Sequence, residues 1–245
     1  MLLLSSASMP HYGIERFFRF ALQAGFEGVE INIDERFDTH DAAYLKELEG
    51  DFRLPVRSFS LTATNTEKYL KAYQKCVREF PGVRLALHSP ELFGFEYQKW
   101  LQKIAPKLAS KYGLTLCRVN APLRFYFGLI PQYSQNSLPQ LMKAPAVGLD
   151  IAALSSTSVE PSEAIRKVGE RLAQVYLTNI RQEVPNSPPQ DGRIAIDEVL
   201  KQLKKQQYAG DLVVYIAPEQ LGEGDDERML KTLKEAASYC KKHWK

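Results

Sequence analysis

Short apolar runs alternate with amphipathic helical stretches along the whole chain, and this alternation restricts the possible folds more than any other feature of the sequence. Runs rich in valine, isoleucine and leucine predict eight strands, at 1–9, 28–34, 55–62, 83–88, 114–119, 147–154, 174–180 and 212–217. Stretches with helical periodicity predict helices at 12–24, 39–48, 65–80, 97–112, 161–172, 196–206 and 227–243. Such an alternation is typical of parallel strands covered by helices. We therefore predict an α/β fold, a single (β/α)8 TIM barrel.

The chain length agrees with this fold. A chain of 245 residues is an ordinary size for one such barrel. No linker interrupts the alternation, so we expect residues 1–245 to form a single domain. A barrel of this kind carries its chemistry at the carboxyl ends of its strands, and the residues at those ends therefore decide the function.

Charge and cysteine content limit the partners. The net charge of +3 arises from 32 basic and 29 acidic residues that are interspersed, which does not favour a nucleic-acid ligand. The apolar run at 2–4 is too short for a signal peptide or a membrane span. Three separated cysteines, Cys76, Cys117 and Cys240, suit a reducing compartment. We expect a cytoplasmic protein without a membrane partner.

Four short motifs occur in the order and spacing of a known superfamily. They are AGFEGVE at 24–30, GLD at 148–150, GRIAID at 192–197 and YAGDL at 208–212. With these motifs the chain resembles the xylose isomerase-like barrels, which include sugar phosphate isomerases and epimerases and endonuclease IV. The resemblance covers nearly the whole chain.

The resemblance implies a divalent metal held by a strand-five Glu, a strand-six Asp, a strand-seven His and a strand-eight Glu. In this chain those positions carry Val119, Asp150, Tyr176 and Tyr215. Valine cannot ligate a metal, and a neutral tyrosine is a poor ligand for Mg, Mn or Zn. We therefore expect no metal and no other cofactor.

Three titratable residues at predicted strand ends are the candidates for catalysis: Glu30, His88 and Asp150. Pointing into the mouth of the barrel, they would act as general acid and base, or would form a metal site unlike that of the family. The alternative is structural, with Glu30 and His88 bonded to each other or to nearby backbone.

The candidate ligand-binding residues are polar or aromatic side chains near the same strand ends: Tyr176, Tyr215, Asn120, Asn179, Arg181 and Arg124. The tyrosines either line a sugar-sized pocket or fill the space of the metal. The amides would form hydrogen bonds with hydroxyl groups of the ligand. The arginines would bind a phosphate or carboxylate, or alternatively are solvated at the surface. The long segment at 121–145 is rich in proline and aromatic residues, contains a possible short helix at 138–142, and suggests an ordered lid over the mouth.

Two hypotheses for function follow. The first is a metal-independent isomerase or epimerase that acts on a sugar or sugar phosphate, with Asp150 and either His88 or Glu30 transferring protons. The second is a degenerate barrel that binds or scaffolds without catalysis. Both allow a homo-oligomer. An endonuclease is disfavoured, because the chain has four histidines in all and only His88 is near a strand end.

Overall fold

Eight parallel strands close into a barrel in the computed structural model, which describes residues 1–61 and 66–244. The barrel strands are β1 Leu2–Ser5, β2 Gly28–Asn32, β3 Val56–Leu61, β4 Arg84–His88, β5 Thr115–Val119, β6 Ala146–Asp150, β7 Leu172–Tyr176 and β8 Asp211–Val214. Each strand pairs with the next, and β8 pairs with β1 to close the sheet. The predicted single (β/α)8 barrel is confirmed.

Helices cover the outside of the barrel. They are α1 Ile14–Ala24, α2 Ala42–Phe52, α3 Thr66–Glu79, α4 Phe95–Lys103, α5 Ala105–Tyr112, α6 Leu138–Leu141, α7 Ile151–Leu154, α8 Pro161–Val168, α9 Ile196–Lys205, α10 Pro218–Leu221 and α11 Asp226–Trp244. Their apolar faces are buried, as Ile14, Phe17 and Phe18 of α1 illustrate. The main core therefore lies between the helices and the outer face of the sheet. Among the described residues, no helix combines the length and apolar character needed to cross a membrane.

Several predicted strands end earlier than the apolar pattern suggests. Predicted strand one ends at Ser5 and continues as a 3₁₀ turn at Ser6–Ser8. Predicted strand six ends at Asp150, because the carboxylate of Asp150 caps α7. Predicted strand seven ends at Tyr176, and the residues beyond it form a separate hairpin of Asn179–Arg181 and Val184–Ser187. Periodicity alone does not locate these ends, because buried turns are as apolar as buried strands.

Two predicted helices are also interrupted. The predicted helix 97–112 is two helices, α4 and α5, because Pro106 cannot donate a backbone hydrogen bond to the preceding turn. The predicted helix 161–172 ends at Val168, since Gly169 takes a φ of 58° and a ψ of −133°, which is not helical. Thr62 and Asn65, at the predicted ends of strand three and helix three, lie outside the described residues.

The segment at 121–145 contains a second small hairpin, formed by Phe125–Tyr126 and Ile130–Pro131, and the one-turn helix α6. The hairpin is fastened to the loop after β4, where the backbone N–H of Leu92 donates to the carbonyl of Gln132 over 2.8 Å. Its tip is open to solvent, with Phe127 95% exposed. The segment is thus attached to the loop after β4 and lies beside the carboxyl ends of β4 and β5, and its role as a lid stays a prediction.

A glycine at the start of β2 permits close packing of strands. A Cβ atom added to Gly28 would lie 2.8 Å from the carbonyl oxygen of Pro55 and 2.9 Å from Cδ2 of Leu3. We predict that Gly28→Ala lowers the free energy of unfolding by about 1–3 kcal/mol, measured by urea denaturation, because the backbone of Pro55 must shift.

The control is Gly50→Ala in α2, where no atom lies within 4 Å of the added Cβ. Alanine inside a helix should raise the stability by about 0.5–1 kcal/mol. Equal effects of the two substitutions would contradict the packing argument.

Candidate functional site

The interior of the barrel contains a polar cluster at half height. Glu30 on β2 is 1% exposed and accepts hydrogen bonds from side chains on β1, β3 and β7. Strands β2 and β7 are not neighbours in the sheet, so these side chains meet inside the barrel. The alternation of side chains along each strand places them there, since every second residue faces inward.

Four side chains donate to the Glu30 carboxylate. The hydroxyl groups of Ser5, Ser58 and Tyr176 lie at 3.0, 2.9 and 2.8 Å, and Nε2 of Gln174 lies at 2.6 Å. Burial raises the pKa of Glu30, and the four hydrogen bonds, above all that from Tyr176, oppose the rise in this pKa. Glu30 is thus fully engaged within the barrel.

Asp150 lies nearer the mouth, at the carboxyl end of β6. Its Oδ1 accepts hydrogen bonds from the backbone N–H of Ala153 at 3.0 Å and from the hydroxyl of Thr178 at 3.1 Å. Neither of these two hydrogen bonds uses the other oxygen, Oδ2. Burial raises the pKa of Asp150, against the hydrogen bonds from the backbone of Ala153, the hydroxyl of Thr178 and the backbone of Ala152. The residue is partly exposed, and the helix cap fixes its Oδ1.

Asn120, directly after β5, holds the backbone of Asp150 in place. Its Oδ1 accepts from the backbone N–H of Asp150 at 2.7 Å, and its Nδ2 donates to the carbonyl of Asp150 at 3.1 Å. The Asn120 side chain is 3% exposed. Asn120 therefore orients Asp150, and both sides of its amide are already bonded.

His88 and Tyr215 complete the inward-facing set at the mouth. The ring of His88 lies 6.0 Å from that of Tyr176, and burial lowers the pKa of His88 to about 4 despite a hydrogen bond to the backbone of Asn120. Burial raises the pKa of Tyr215, and the negative charge of Asp150 adds to that effect. No hydrogen bond to the Tyr215 hydroxyl occurs among the described residues. The mouth therefore offers a neutral imidazole, a free phenol and a carboxylate oxygen.

The remaining candidates lie farther from this set. The Asn179 amide is engaged within its own loop, donating to the carbonyls of Pro189 and Ile194 at 3.0 Å each. Arg181 is exposed and pairs with Asp191 over 2.7 Å. Arg124 is exposed and directly precedes the hairpin of Phe125–Tyr126 and Ile130–Pro131. The structure thus brings together Glu30, Tyr176, His88, Asp150, Asn120 and Tyr215, and leaves Asn179, Arg181 and Arg124 outside that group.

Sequence reasoning missed four polar residues of this region: Ser5, Ser58, Gln174 and Thr178. A signal for them was present, because Gln174, Tyr176 and Thr178 alternate with apolar residues along 174–178. Ser58 likewise precedes an apolar Phe59 in β3. Residues of this spacing face the same side of a strand. The pattern places Gln174 and Thr178 on the same face as Tyr176.

Several solved structures share this fold. A D-allulose 3-epimerase from Methylomonas sp. matches with a TM-score of 0.72 and 14% identity over 99% of this chain and 97% of that chain. A family 2 AP endonuclease from Brucella melitensis matches with a TM-score of 0.71 and 17% identity over 97% of this chain and 98% of that chain. A xylose isomerase domain protein from Alicyclobacillus acidocaldarius matches with a TM-score of 0.70 and 15% identity over 100% of this chain and 98% of that chain. At these identities the likeness concerns the fold.

The sequence itself matches no protein-family profile. It also matches no curated protein sequence.

The hydrogen bond between Tyr176 and Glu30 should contribute strongly to stability. We predict that Tyr176→Phe lowers the free energy of unfolding by about 1.5–3 kcal/mol, because a buried carboxylate loses one donor. The matched control is Tyr215→Phe, which removes a hydroxyl without a described partner and should change stability by less than about 0.5 kcal/mol. Urea denaturation of both variants measures the difference, and equal losses would contradict the assigned network.

His88 should make the stability depend on pH. Its pKa is about 4 when folded and 6.5 as an ordinary histidine, so between these values the unfolded chain binds a proton that the folded chain does not. Stability should therefore fall by up to about 3 kcal/mol as the pH falls from 6.5 to 4. The measurement is the difference in unfolding free energy between wild type and His88→Gln, in which the contributions of the carboxylates cancel.

Gly50→Ala serves as the control for this experiment, because neither glycine nor alanine has a side chain that titrates. This variant should keep the pH dependence of the wild type. A constant difference between wild type and His88→Gln from pH 4 to 7 would contradict the burial of His88.

Proposed function

We propose that the barrel binds a small polyhydroxylated ligand, a sugar or sugar phosphate, at the carboxyl end of its strands. The observation that carries this proposal is the geometry of Asp150. Its Oδ1 is fixed by Ala153 and Thr178, neither of these bonds uses Oδ2, and the residue is partly exposed at the mouth. A rigid, partly exposed carboxylate accepts hydrogen bonds from hydroxyl groups without losing side-chain entropy.

The aromatic groups beside Asp150 suit the same class of ligand. Tyr215 is partly exposed and has a free hydroxyl, which both donates and accepts. Its ring offers an apolar face, as does the ring of Tyr176 beneath the mouth. A sugar presents alternating hydroxyl groups and apolar C–H faces, so a carboxylate flanked by phenols matches it.

The comparisons support this choice of ligand. The matching structures include a D-allulose 3-epimerase and an L-ribulose 3-epimerase, both named for reactions on sugars. The L-ribulose 3-epimerase has a TM-score of 0.74 at 14% identity over 99% of this chain and 94% of that chain. A shared fold alone does not transfer an activity, so the proposal depends on the residues at the mouth.

The divalent metal implied by the family does not fit these residues. Val119 packs in an apolar cluster with Leu3, Ala86 and Val213, and the Tyr176 hydroxyl is bonded to Glu30. Of the four ligand positions, Asp150 alone offers a carboxylate or imidazole. Within 1–61 and 66–244, no three His, Cys, Asp or Glu side chains are grouped to hold a metal ion. The proposed ligand is therefore bound by protein groups alone.

Two uses of this site are open to experiment. Asp150 and the neutral His88 form a possible proton-transfer pair for a metal-independent isomerase or epimerase, in which Glu30 would position Tyr176. The second candidate is a binding module without turnover. It is favoured by one observation: the Glu30 carboxylate, the third candidate for catalysis, accepts four hydrogen bonds within the barrel and is 1% exposed, which keeps it from a substrate.

The test is a thermal-shift and calorimetric screen of ketoses, aldoses and their phosphates against wild type and Asp150→Asn. Asparagine retains the helix cap through its own Oδ1, so the fold should be kept. We expect a sugar-class ligand to bind wild type and to bind Asp150→Asn at least about tenfold more weakly, since a charge-assisted hydrogen bond is lost. Product analysis by NMR then distinguishes an enzyme from a binding module.

Asp51→Asn on the exposed surface of α2 is the matched control and should bind as wild type does. Equal binding by Asp150→Asn and wild type would reject the site. Stoichiometric Mn or Zn in the purified protein would reject metal independence.

A further inference from the structure

A cavity lies outside the barrel, behind β4 and β5, on the opposite side of the sheet from the mouth residues. It has a volume of about 320 Å³. Its apolar wall includes Leu87 and Leu116 from the two strands and Leu101 from α4. Its polar residues are Arg118, Gln140 and Lys143 together with Gln135. No carboxylate lines it.

The cavity exists because the connection between β5 and β6 covers the sheet poorly. In a barrel of this type a full helix normally packs against the outside of each strand. Here the connection supplies only α6, a helix of four residues, Leu138–Leu141. The outward-facing side chains of β5 are therefore left beside open space.

Arg118 is the unusual residue of this cavity. It faces outward between Cys117 and Val119, a position normally filled by an apolar side chain beneath a helix. Its Nε is buried and has no hydrogen-bond partner, and no ion pair to the guanidinium exists among the described residues. Burial lowers the pKa of Arg118, and Tyr97 only partly opposes this. A buried donor of this kind is costly unless a partner satisfies it.

We propose that this cavity is a binding site for a small amphiphilic carboxylate. The guanidinium of Arg118 would take the carboxylate through its fork of N–H donors, and Lys143 adds positive charge. The leucine wall would take a short apolar body. Because no acidic side chain lines the cavity, the negative charge that pairs with Arg118 would come from the ligand. This site is separate from the proposed sugar site and does not depend on it.

Binding of hexanoate, hexanamide and inorganic phosphate to wild type tests this proposal by isothermal titration calorimetry. The amide has the shape of the acid without its charge. We expect saturable binding of hexanoate, with hexanamide and phosphate each at least about tenfold weaker. The Nε–H resonance of Arg118 should shift on addition of hexanoate. Binding of hexanamide as tight as that of hexanoate, preference for phosphate, or no saturable binding would overturn the proposal.

Variants locate the site. Arg118→Gln should weaken hexanoate binding at least about tenfold, and Arg118→Lys should fall between wild type and Arg118→Gln, because lysine keeps the charge and loses the fork. Arg166→Gln, at an exposed arginine of α8, is the matched control and should bind as wild type does. Unchanged binding by Arg118→Gln would place hexanoate elsewhere and reject the assignment. The comparison of hexanoate with hexanamide requires no variant, so it stands even where a substitution impairs folding.

Discussion

The buried carboxylate of Glu30 is the constraint on which the inside of this barrel depends. A carboxyl group that is 1% exposed would oppose folding by itself, because removal from water is unfavourable for its charged form. Donors from β1, β3 and β7 offset that cost, so the group links strands from both sides of the barrel. Such a cluster fixes the register of the strands as well as their closure, since a shift by one residue would point the donors outward.

Because side chains fill the centre of the barrel, a ligand bound inside the barrel can lie only in the layer above them. Tyr176 closes the space over Glu30, and the apolar cluster with Val119 and Val213 fills the neighbouring positions. What remains at the carboxyl end is Asp150, braced by Asn120, with His88 and Tyr215 around it. The mouth residues His88, Asp150 and Tyr215 are partly exposed, whereas Glu30 and Tyr176 beneath them are buried. The same hydrogen bonds that stabilise the fold thus define the depth of the proposed site.

The sequence predicted the barrel because the hydrophobic period of a strand differs from that of a helix. Few folds are compatible with eight alternations between the two periods. It also placed Asp150 at the carboxyl end of a strand, where the structure has it, while a role of Asp150 in binding stays a prediction. It did not predict that Asp150 begins a helix, because the apolar residues 151–154 have the composition of a continuing strand. The contact between Glu30 and Tyr176 could not be predicted from the sequence for another reason. The two residues are 146 positions apart and lie on strands that do not pair. The break at Pro106, in contrast, follows from a rule that applies to any helix.

Glu30 and Arg118 show two outcomes for charged side chains on barrel strands. Glu30 faces inward, where the small barrel interior brings donors from several strands within reach. Arg118 faces outward, where the next layer should be a helix and is instead a single turn, α6. No strand can supply a partner on that side, because the neighbouring outward positions Leu87 and Leu116 are apolar. The short connection after β5 therefore does two things at once: it opens a cavity and leaves a guanidinium in it unpaired. The conjunction of the two favours a ligand over a packing defect, because a defect requires only the space, whereas a binding site requires the space and the unpaired donor together.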